Sequence, residues 1–197
     1  MAILTGKDKD KDKVRTAVFI SGSGTNLKSL IQFSKKKKSP ISIDLIISNN
    51  SKASGLNYGK IFNIKRKIFK FNNRSFIEKK LLSTLKKNQI DMICLAGFMK
   101  ILGKNFIKKF KGTILNIHPS LLPKYKGLNT HQRVLDNKEK YSGCTVHFVN
   151  SKLDSGKIII QKKIKILKNE TKLSLAKKVL IQEHKLYPKA ILKILNL

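Results

Sequence analysis

Arg15-Thr-Ala-Val-Phe-Ile-Ser-Gly-Ser-Gly-Thr-Asn-Leu27 is the stretch on which the fold turns. Arg15 to Ile20 is a mostly apolar run of strand length, as expected of a buried first strand. A glycine-rich turn follows at once, and Asn26 to about Lys36 then reads as a helix that stops near Ser39-Pro40. Strand, tight turn and helix in that order open a parallel α/β sheet. The free N–H groups and the positive dipole end of the helix make such a turn an anion site, and Gly22 and Gly24 let the backbone approach closely. As a dinucleotide fingerprint the turn fails twice. Leu27 stands where the third glycine belongs, and the next strand runs out into Ser48-Asn49-Asn50 with no acid to hold a ribose. Asp44 is near the expected distance but sits mid-strand. The turn reads as a site for a monophosphate, or as no more than a tight connection.

Outward from this stretch, short apolar runs continue to alternate with helical ones. Strands are expected at Ile41 to Ile47, Arg66 to Phe71, Met92 to Ala96 and Thr113 to Ile117. Helices are expected at Ala53 to Asn63, Asn73 to Lys87 and Phe106 to Phe110, the second with an apolar face of Phe76, Ile77, Leu81, Leu82 and Leu85. After a proline-punctuated loop to about Thr130, Gly143 to Val149 and Lys157 to Leu167 suggest a hairpin or mixed-sheet extension, and a helix from Lys172 to Leu195 closes the chain. The fold class is α/β: a single-domain, Rossmann-like open sheet over residues 14–197, mostly parallel with antiparallel strands near the C-terminal part, and helices on both faces. Residues 1–13, with their KDKDKDK run, read as a polar disordered tail and not as a secretory signal.

At 197 residues the chain is long enough for one sizeable core. A hydrophobic fraction of 41% excludes wholesale disorder, and no apolar run approaches a membrane span. The anomaly is a net charge of +32, which points first to nucleic acid or an anionic surface. Yet only Arg15, Arg66, Arg74 and Arg133 are arginines against 39 lysines, and lysine lacks the bidentate fork that reads bases. Drift toward lysine, isoleucine and asparagine in an AT-rich genome is the plainer account. Cys94 and Cys144 form no close pair, so a reducing cytoplasm is expected, and the histidines and cysteines show no metal-ligand spacing.

Outside the tail there are only eight carboxylates, which narrows the search for chemistry. In Asn116-Ile-His-Pro119, residues two apart on an extended chain project together, so Asn116 and His118 share a side, and Pro119 keeps His118 extended. An amide donor beside an imidazole at a strand end suits acyl chemistry, with Asn116 toward the oxyanion and His118 as acid and base. Asp154, in the turn Leu153-Asp-Ser-Gly156, is the nearest candidate partner for His118, directly or through water. Taken from the residues alone, Glu183 reads as a solvated acid on a lysine-rich helix and His147 as an ordinary strand histidine.

Seven segments, in order, resemble the folate-dependent formyltransferases, and in particular the glycinamide ribonucleotide formyltransferase family. They are Ile20 to Leu27, Leu95 to Leu102, Leu115-Asn-Ile-His-Pro-Ser-Leu-Leu-Pro-Lys124, Gly127 to His131, Thr145 to Phe148, Leu153 to Gly156 and Gln182 to His184. The resemblance implies transfer of a formyl group from 10-formyltetrahydrofolate to the amine of 5-phosphoribosylglycinamide, without a metal, in the cytoplasm. It also implies roles: Asn116, His118 and Asp154 catalytic; Gly22, Ser23, Gly24, Thr25 and Asn26 on the ribonucleotide phosphate; Glu183 at its ribose or amino end. Arg74, the segment Met99, Lys100, Ile101 and Leu102, Asn116, and the loop Asn150, Ser151, Lys152, Leu153 and Asp154 would hold the folate. Lys100 stands where the family often has arginine and Asn129 where another histidine is usual, so neither carries a specific role. The partners implied are these two small molecules, with nucleic acid and membrane set aside, for a monomer or homodimer. The alternatives are a tRNA formyltransferase, for which the chain lacks an added C-terminal domain and the Arg-Gly-x-Ala-Pro pattern; a formyltetrahydrofolate hydrolase, for which it lacks an N-terminal regulatory domain; and a basic nucleic-acid-binding module that kept the fold.

Overall fold

In the computed structural model, residues 13–197 are described. Apart from Lys13, the expected tail lies outside them. Strand β1 (Val14–Ile20) is buried from Thr16 onward and pairs in parallel with β2 (Ile41–Ser48) on one side and β4 (Met92–Leu95) on the other. Strand β3 (Lys65–Ile68) extends the sheet beyond β2, and β5 (Thr113–His118) lies parallel beside β4. Strands β6 (Tyr141–Phe148) and β7 (Ile158–Lys165) add on antiparallel, giving the order β3-β2-β1-β4-β5-β6-β7. The sequence expectation of a mostly parallel sheet with antiparallel strands near the C-terminal part matches this architecture.

Alternation along β1 assigns the two faces. Val18 and Ile20 point into a core with Leu27, Leu30 and Ile31 of α1 (Thr25–Ser34) and Val179, Tyr187 and Ile191 of α6 (Lys172–Ile194). Ala17 and Phe19 point into a second core with Leu81 and Leu85 of α3 (Arg74–Lys87) and Phe106 of α4 (Lys104–Lys109). The sheet is thus covered on both faces, as its near-continuous apolar strands require.

Three local expectations need correction. The helix expected over Ala53 to Asn63 is a 3-10 turn, Ser54–Leu56, followed by a short α2 (Asn57–Ile61). Its two glycines weaken helix propensity, and both are packed at contact distance: a Cβ on Gly55 would come within 2.7 Å of Ile20 Cδ1, and one on Gly59 within 2.3 Å of the Arg66 side chain. The strand expected at Arg66 to Phe71 is only Lys65–Ile68, an exposed lysine-rich edge; Phe69 and Phe71 leave it to pack on the second core. On α3, Phe76 is 53% exposed, and the buried position nearby belongs to Glu78.

The sheet order reverses at β1, because its successor β2 lies to one side and β4 to the other. Ligands of open α/β sheets bind at that crevice, beyond the strands' carboxyl ends. The turn after β1 is shaped for it: Gly24, at φ 68°, caps α1, and its Cα packs so closely on Gly55 that a Cβ on either would lie 2.9 Å from the other's Cα. The Gly55 N–H donates to the Gly22 carbonyl at 3.0 Å and holds the turn down. Gly55→Ala is expected to destabilise the protein by about 1–3 kcal/mol through overpacking, measured as a lower urea midpoint at unchanged m-value.

Candidate active site

The carboxyl ends of β1 and β5 each carry a group of polar side chains, with β4 between them. Two strand spacings separate the groups, about 10 Å.

At the end of β5, Asn116 and His118 project to the same side and Asp154 meets both. His118 is 5% exposed; its Nδ1 lies 3.4 Å from Asp154 Oδ2 and its Nε2 is 2.9 Å from the Tyr125 carbonyl. Both ring nitrogens face acceptors, so a neutral ring, with its single hydrogen, serves one of the two contacts and keeps a lone pair on the other nitrogen. Asp154 approaches from a left-handed backbone position, φ 43°, and its Oδ2 also accepts the Gly127 N–H at 2.9 Å. The loop that brings the Tyr125 carbonyl to His118 is held from beneath. Ser120 Oγ donates to the Lys124 carbonyl at 2.7 Å, Thr145 Oγ1 donates to the Ser120 carbonyl at 2.6 Å, and Gln161 donates to the Leu122 carbonyl at 2.8 Å.

His147 joins this group, which its sequence position did not reveal. The antiparallel register sets His147 directly opposite Asn116, so the two side chains share a face. Its Nδ1 donates to the Phe148 carbonyl at 2.8 Å, which leaves Nε2 to accept from Asn116 Nδ2 at 3.1 Å. Burial lowers the pKa of His147, against the opposing pull of the Phe148 bond and Asp154, and so favours that neutral, accepting ring. Asn116 Nδ2 directs its other hydrogen to Asp154 Oδ1 at 3.4 Å, the longer and weaker of its two bonds.

At the end of β1 the turn Ser21–Asn26 leads into α1 with no side-chain cap. Among the described residues no backbone carbonyl accepts from the N–H groups of Thr25, Asn26 and Leu27, so the helix start presents open donors. Beside it Glu183, from α6, is 7% exposed and accepts from Asn26 Nδ2 at 2.7 Å. The solvated reading of Glu183 is therefore overturned: α6 turns this side chain inward, where burial pushes its carboxyl up to about 7 against the opposing Asn26 bond. One helical turn on, the buried Tyr187 hydroxyl reaches the carbonyls of both Leu95 and Leu115 at 3.1 Å, fixing α6 to the end of β4 and the middle of β5. Asn26 Oδ1 is buried and has no hydrogen-bond partner among the described residues. Asp44, by contrast, pairs with Arg15 at 3.3 Å, within the strands.

The remaining sequence candidates sit around this rim. Met99 and Ile101 are 62% and 59% exposed, whereas the Leu102 side chain is in the core. Lys100 lines a cleft of about 560 Å³ with Ser21, Asn49, Phe71 and Met99. Asn150 to Leu153 form an exposed turn leading into Asp154, with the Asn150 side chain accepting the Lys152 N–H at 2.9 Å. Arg74 is tied to Glu78 at 3.0 Å near that rim segment. A larger cleft, about 720 Å³, lies beside Asp91 and Gly112 at the opposite ends of β4 and β5, away from these side chains. Among the described residues no group of three or more His, Cys, Asp or Glu forms a metal-ligating cluster, and no helix is long and apolar enough to cross a membrane.

A donor amide, an imidazole and a carboxylate gathered at one strand end, with open amides two strands away, are the groups that transfer at a carbonyl carbon beside an anion would use. Comparison with known proteins agrees: the chain matches the formyl transferase family over residues 14–191 and belongs to it. It is 40% identical over 180 residues to the phosphoribosylglycinamide formyltransferase of Haemophilus influenzae, covering 90% of this chain and 85% of that one. It is 39% identical over 185 residues to the human trifunctional purine biosynthetic protein adenosine-3, covering 92% of this chain but spanning only 18% of that protein. The crystal structure of phosphoribosylglycinamide formyltransferase from Brucella melitensis superimposes with a TM-score of 0.87 at 40% identity, covering 92% of this chain and 95% of that one.

The buried Glu183 makes stability depend on pH. Between about 4.5, its ordinary value, and about 7, the folded protein keeps a proton that the unfolded chain has released. Its stabilising contribution is complete below the lower value and is lost as pH rises through the upper one. Relative to Glu183→Gln, the wild-type protein should lose on the order of 3 kcal/mol between pH 4.5 and 7.5, measured by urea denaturation of both proteins at each pH.

Proposed function

We propose that this chain transfers the formyl group of 10-formyltetrahydrofolate to the amine of 5-phosphoribosylglycinamide, giving the N-formyl ribonucleotide and tetrahydrofolate for purine synthesis. The observation that carries this reading is the meeting of Asn116, His118 and Asp154 about two strand spacings from the uncapped start of α1. The choice of substrates follows the names of the relatives that match most of both chains.

In this reading the amine nitrogen attacks the formyl carbon, a C–N bond forms, and the carbonyl oxygen becomes an oxyanion. Asn116 Nδ2 turns its weak bond from Asp154 to that oxyanion. His118 takes up the proton released by the amine and returns one to the folate nitrogen as the old C–N bond breaks and the carbonyl re-forms. Asp154 holds the imidazole in place and balances its charge, and the 3.4 Å contacts tighten as charge develops. The donors of Gly22 to Asn26 take the phosphate, with the positive dipole end of α1 behind them. Glu183 stands at the ribose or amino end, able to exchange a proton near neutral pH. Arg74, Met99 to Leu102 and Asn150 to Asp154 form the folate side. Residues 14–197 act as one formyltransferase domain, cytoplasmic, as a monomer or homodimer, with no nucleic-acid partner.

The test is a formyl-transfer assay with glycinamide ribonucleotide, beside a control without acceptor that registers hydrolysis. His118→Ala should abolish transfer while preserving the circular dichroism of the fold. Asn116→Ala should reduce kcat on the order of 10²- to 10³-fold with little change in KM; a rise in KM alone would exclude the oxyanion role. Crystals soaked with inorganic phosphate should show an anion at the amides of Gly24 to Asn26, and an empty turn would count against the phosphate assignment.

A further inference from the structure

Glu78 is a buried carboxylate, 7% exposed, that the proposed chemistry does not use. It lies on the fifth residue of α3, and two groups converge on one of its oxygens. Arg74 Nε, one helical turn earlier, donates to Oε1 at 3.0 Å, and the backbone N–H of Gly103, 25 residues later, donates to the same oxygen at 2.6 Å. Gly103 is the residue that caps α4. Only a small residue fits there in this arrangement, because a Cβ on Gly103 would lie 2.7 Å from Glu78 Oε2 and 3.0 Å from Arg74 Nη2.

Gly103 also ends the rim segment that leaves β4, and that segment is pinned all along its length. The Phe98 ring packs edge-to-face on Phe19 and Phe71, with centroids 5.3 and 5.7 Å apart. The Met99 N–H donates to Ser21 Oγ at 2.7 Å, and Leu102 is in the core at 5% exposure. Between these anchors only Met99, Lys100 and Ile101 face outward. Glu78 is the anchor that joins this apolar rim to a guanidinium: it holds Arg74 by its Nε, on a side chain that is half exposed, and keeps an outer nitrogen of the fork beside Gly103, the residue that ends the segment. Arg74 is one of only four arginines among 43 basic residues, so its fork differs from the mobile ammonium groups around it.

We propose that Glu78 is a positioning residue that locks Arg74 and the Met99–Gly103 segment into one clamp for an amphipathic anion, a molecule with a flat apolar body and a carboxylate end. This rests on the folate reading of the same rim, since the formyl donor has that chemistry. Glu78 itself touches no substrate. It acts by removing the freedom of two elements that would otherwise have to be ordered by the ligand.

The test separates the clamp from the transfer reaction by measuring binding as well as turnover, with tetrahydrofolate as the binding probe. In Glu78→Ala the tetrahydrofolate Kd and the KM for the formyl donor should rise about tenfold, while kcat and the KM for the acceptor stay within about twofold. In an Arg74→Ala background the same change should cost clearly less than tenfold, because the arginine it positions is gone and only the Gly103 anchor is left to lose. Glu78→Gln, which keeps an oxygen for the Gly103 N–H, should recover part of the loss, and it reads the same effect should the alanine variant not fold. Unchanged donor affinity in a folded Glu78 variant, or Glu78 and Arg74 effects that simply multiply, overturns the clamp. Weakened tetrahydrofolate binding in these variants supports it even where wild-type protein transfers no formyl group, a result that would count against the transfer reading alone.

Discussion

Asp154 turns its carboxylate inward from a left-handed backbone position and meets three groups on two segments distant from it in sequence: the Gly127 N–H at 2.9 Å, and the Asn116 amide and the His118 ring of β5, each at 3.4 Å. A carboxylate this buried persists only when partners take the place of water. Strand β5, the loop after it and the turn before β7 must therefore all be in place together. The antiparallel β6 follows from the same need, since it is β6 that carries His147 to the far side of Asn116 and leaves a neutral nitrogen there to receive one of its hydrogens. Asn116 is oriented by two acceptors of unequal distance, so the looser one can give way to an incoming oxygen.

The second half of the site depends on a contact between backbones. Gly24 and Gly55 approach until neither has room for a side chain, and the turn after β1 is thereby held open with its amides unspent. Glu183 and Tyr187 occupy successive turns of α6, one bonded to Asn26 near the start of α1 and the other to the end of β4 and the middle of β5. A single helix thus reaches both halves, and the distance between the open amides after β1 and the polar cluster on β5 is built into a rigid element.

The net charge of +32 looks different in this setting. Five of the eight side-chain carboxylates among the described residues fall into two kinds. Glu139 and Glu170 are paired with Lys124 and Lys178, and those bonds hold their carboxyls below the ordinary range. Asp154, Glu78 and Glu183 are inside or nearly so, bonded to His118, Gly103 and Asn26 respectively. Lysine covers the surface, including both sheet edges, where it discourages strand pairing between copies. A positive field of this size also favours capture of anions such as a phosphate or a folate.

From the sequence alone the order of elements was legible, because apolar runs of strand length alternate with helical periods and tight turns separate them. So was the pairing of Asn116 with His118, since spacing by two on an extended chain sets side. The breaks inside Ala53 to Asn63 were not legible, because the demand on Gly55 and Gly59 comes from Ile20, Gly24 and Arg66, which no local pattern connects to them. Nor were the roles of His147, Glu78 and Tyr187. A strand histidine looks the same whichever residue it faces, and only the register of β6 against β5 sets it opposite Asn116. An acid on a lysine-rich helix looks solvated until the helix is packed, and only then do Glu183 and Glu78 turn inward. The sequence by itself determined the elements, their order and the residue types available for chemistry, because these follow from local periodicity and spacing. Register, burial and the approach of one backbone to another were decided by the tertiary structure, because each depends on residues dozens of positions apart.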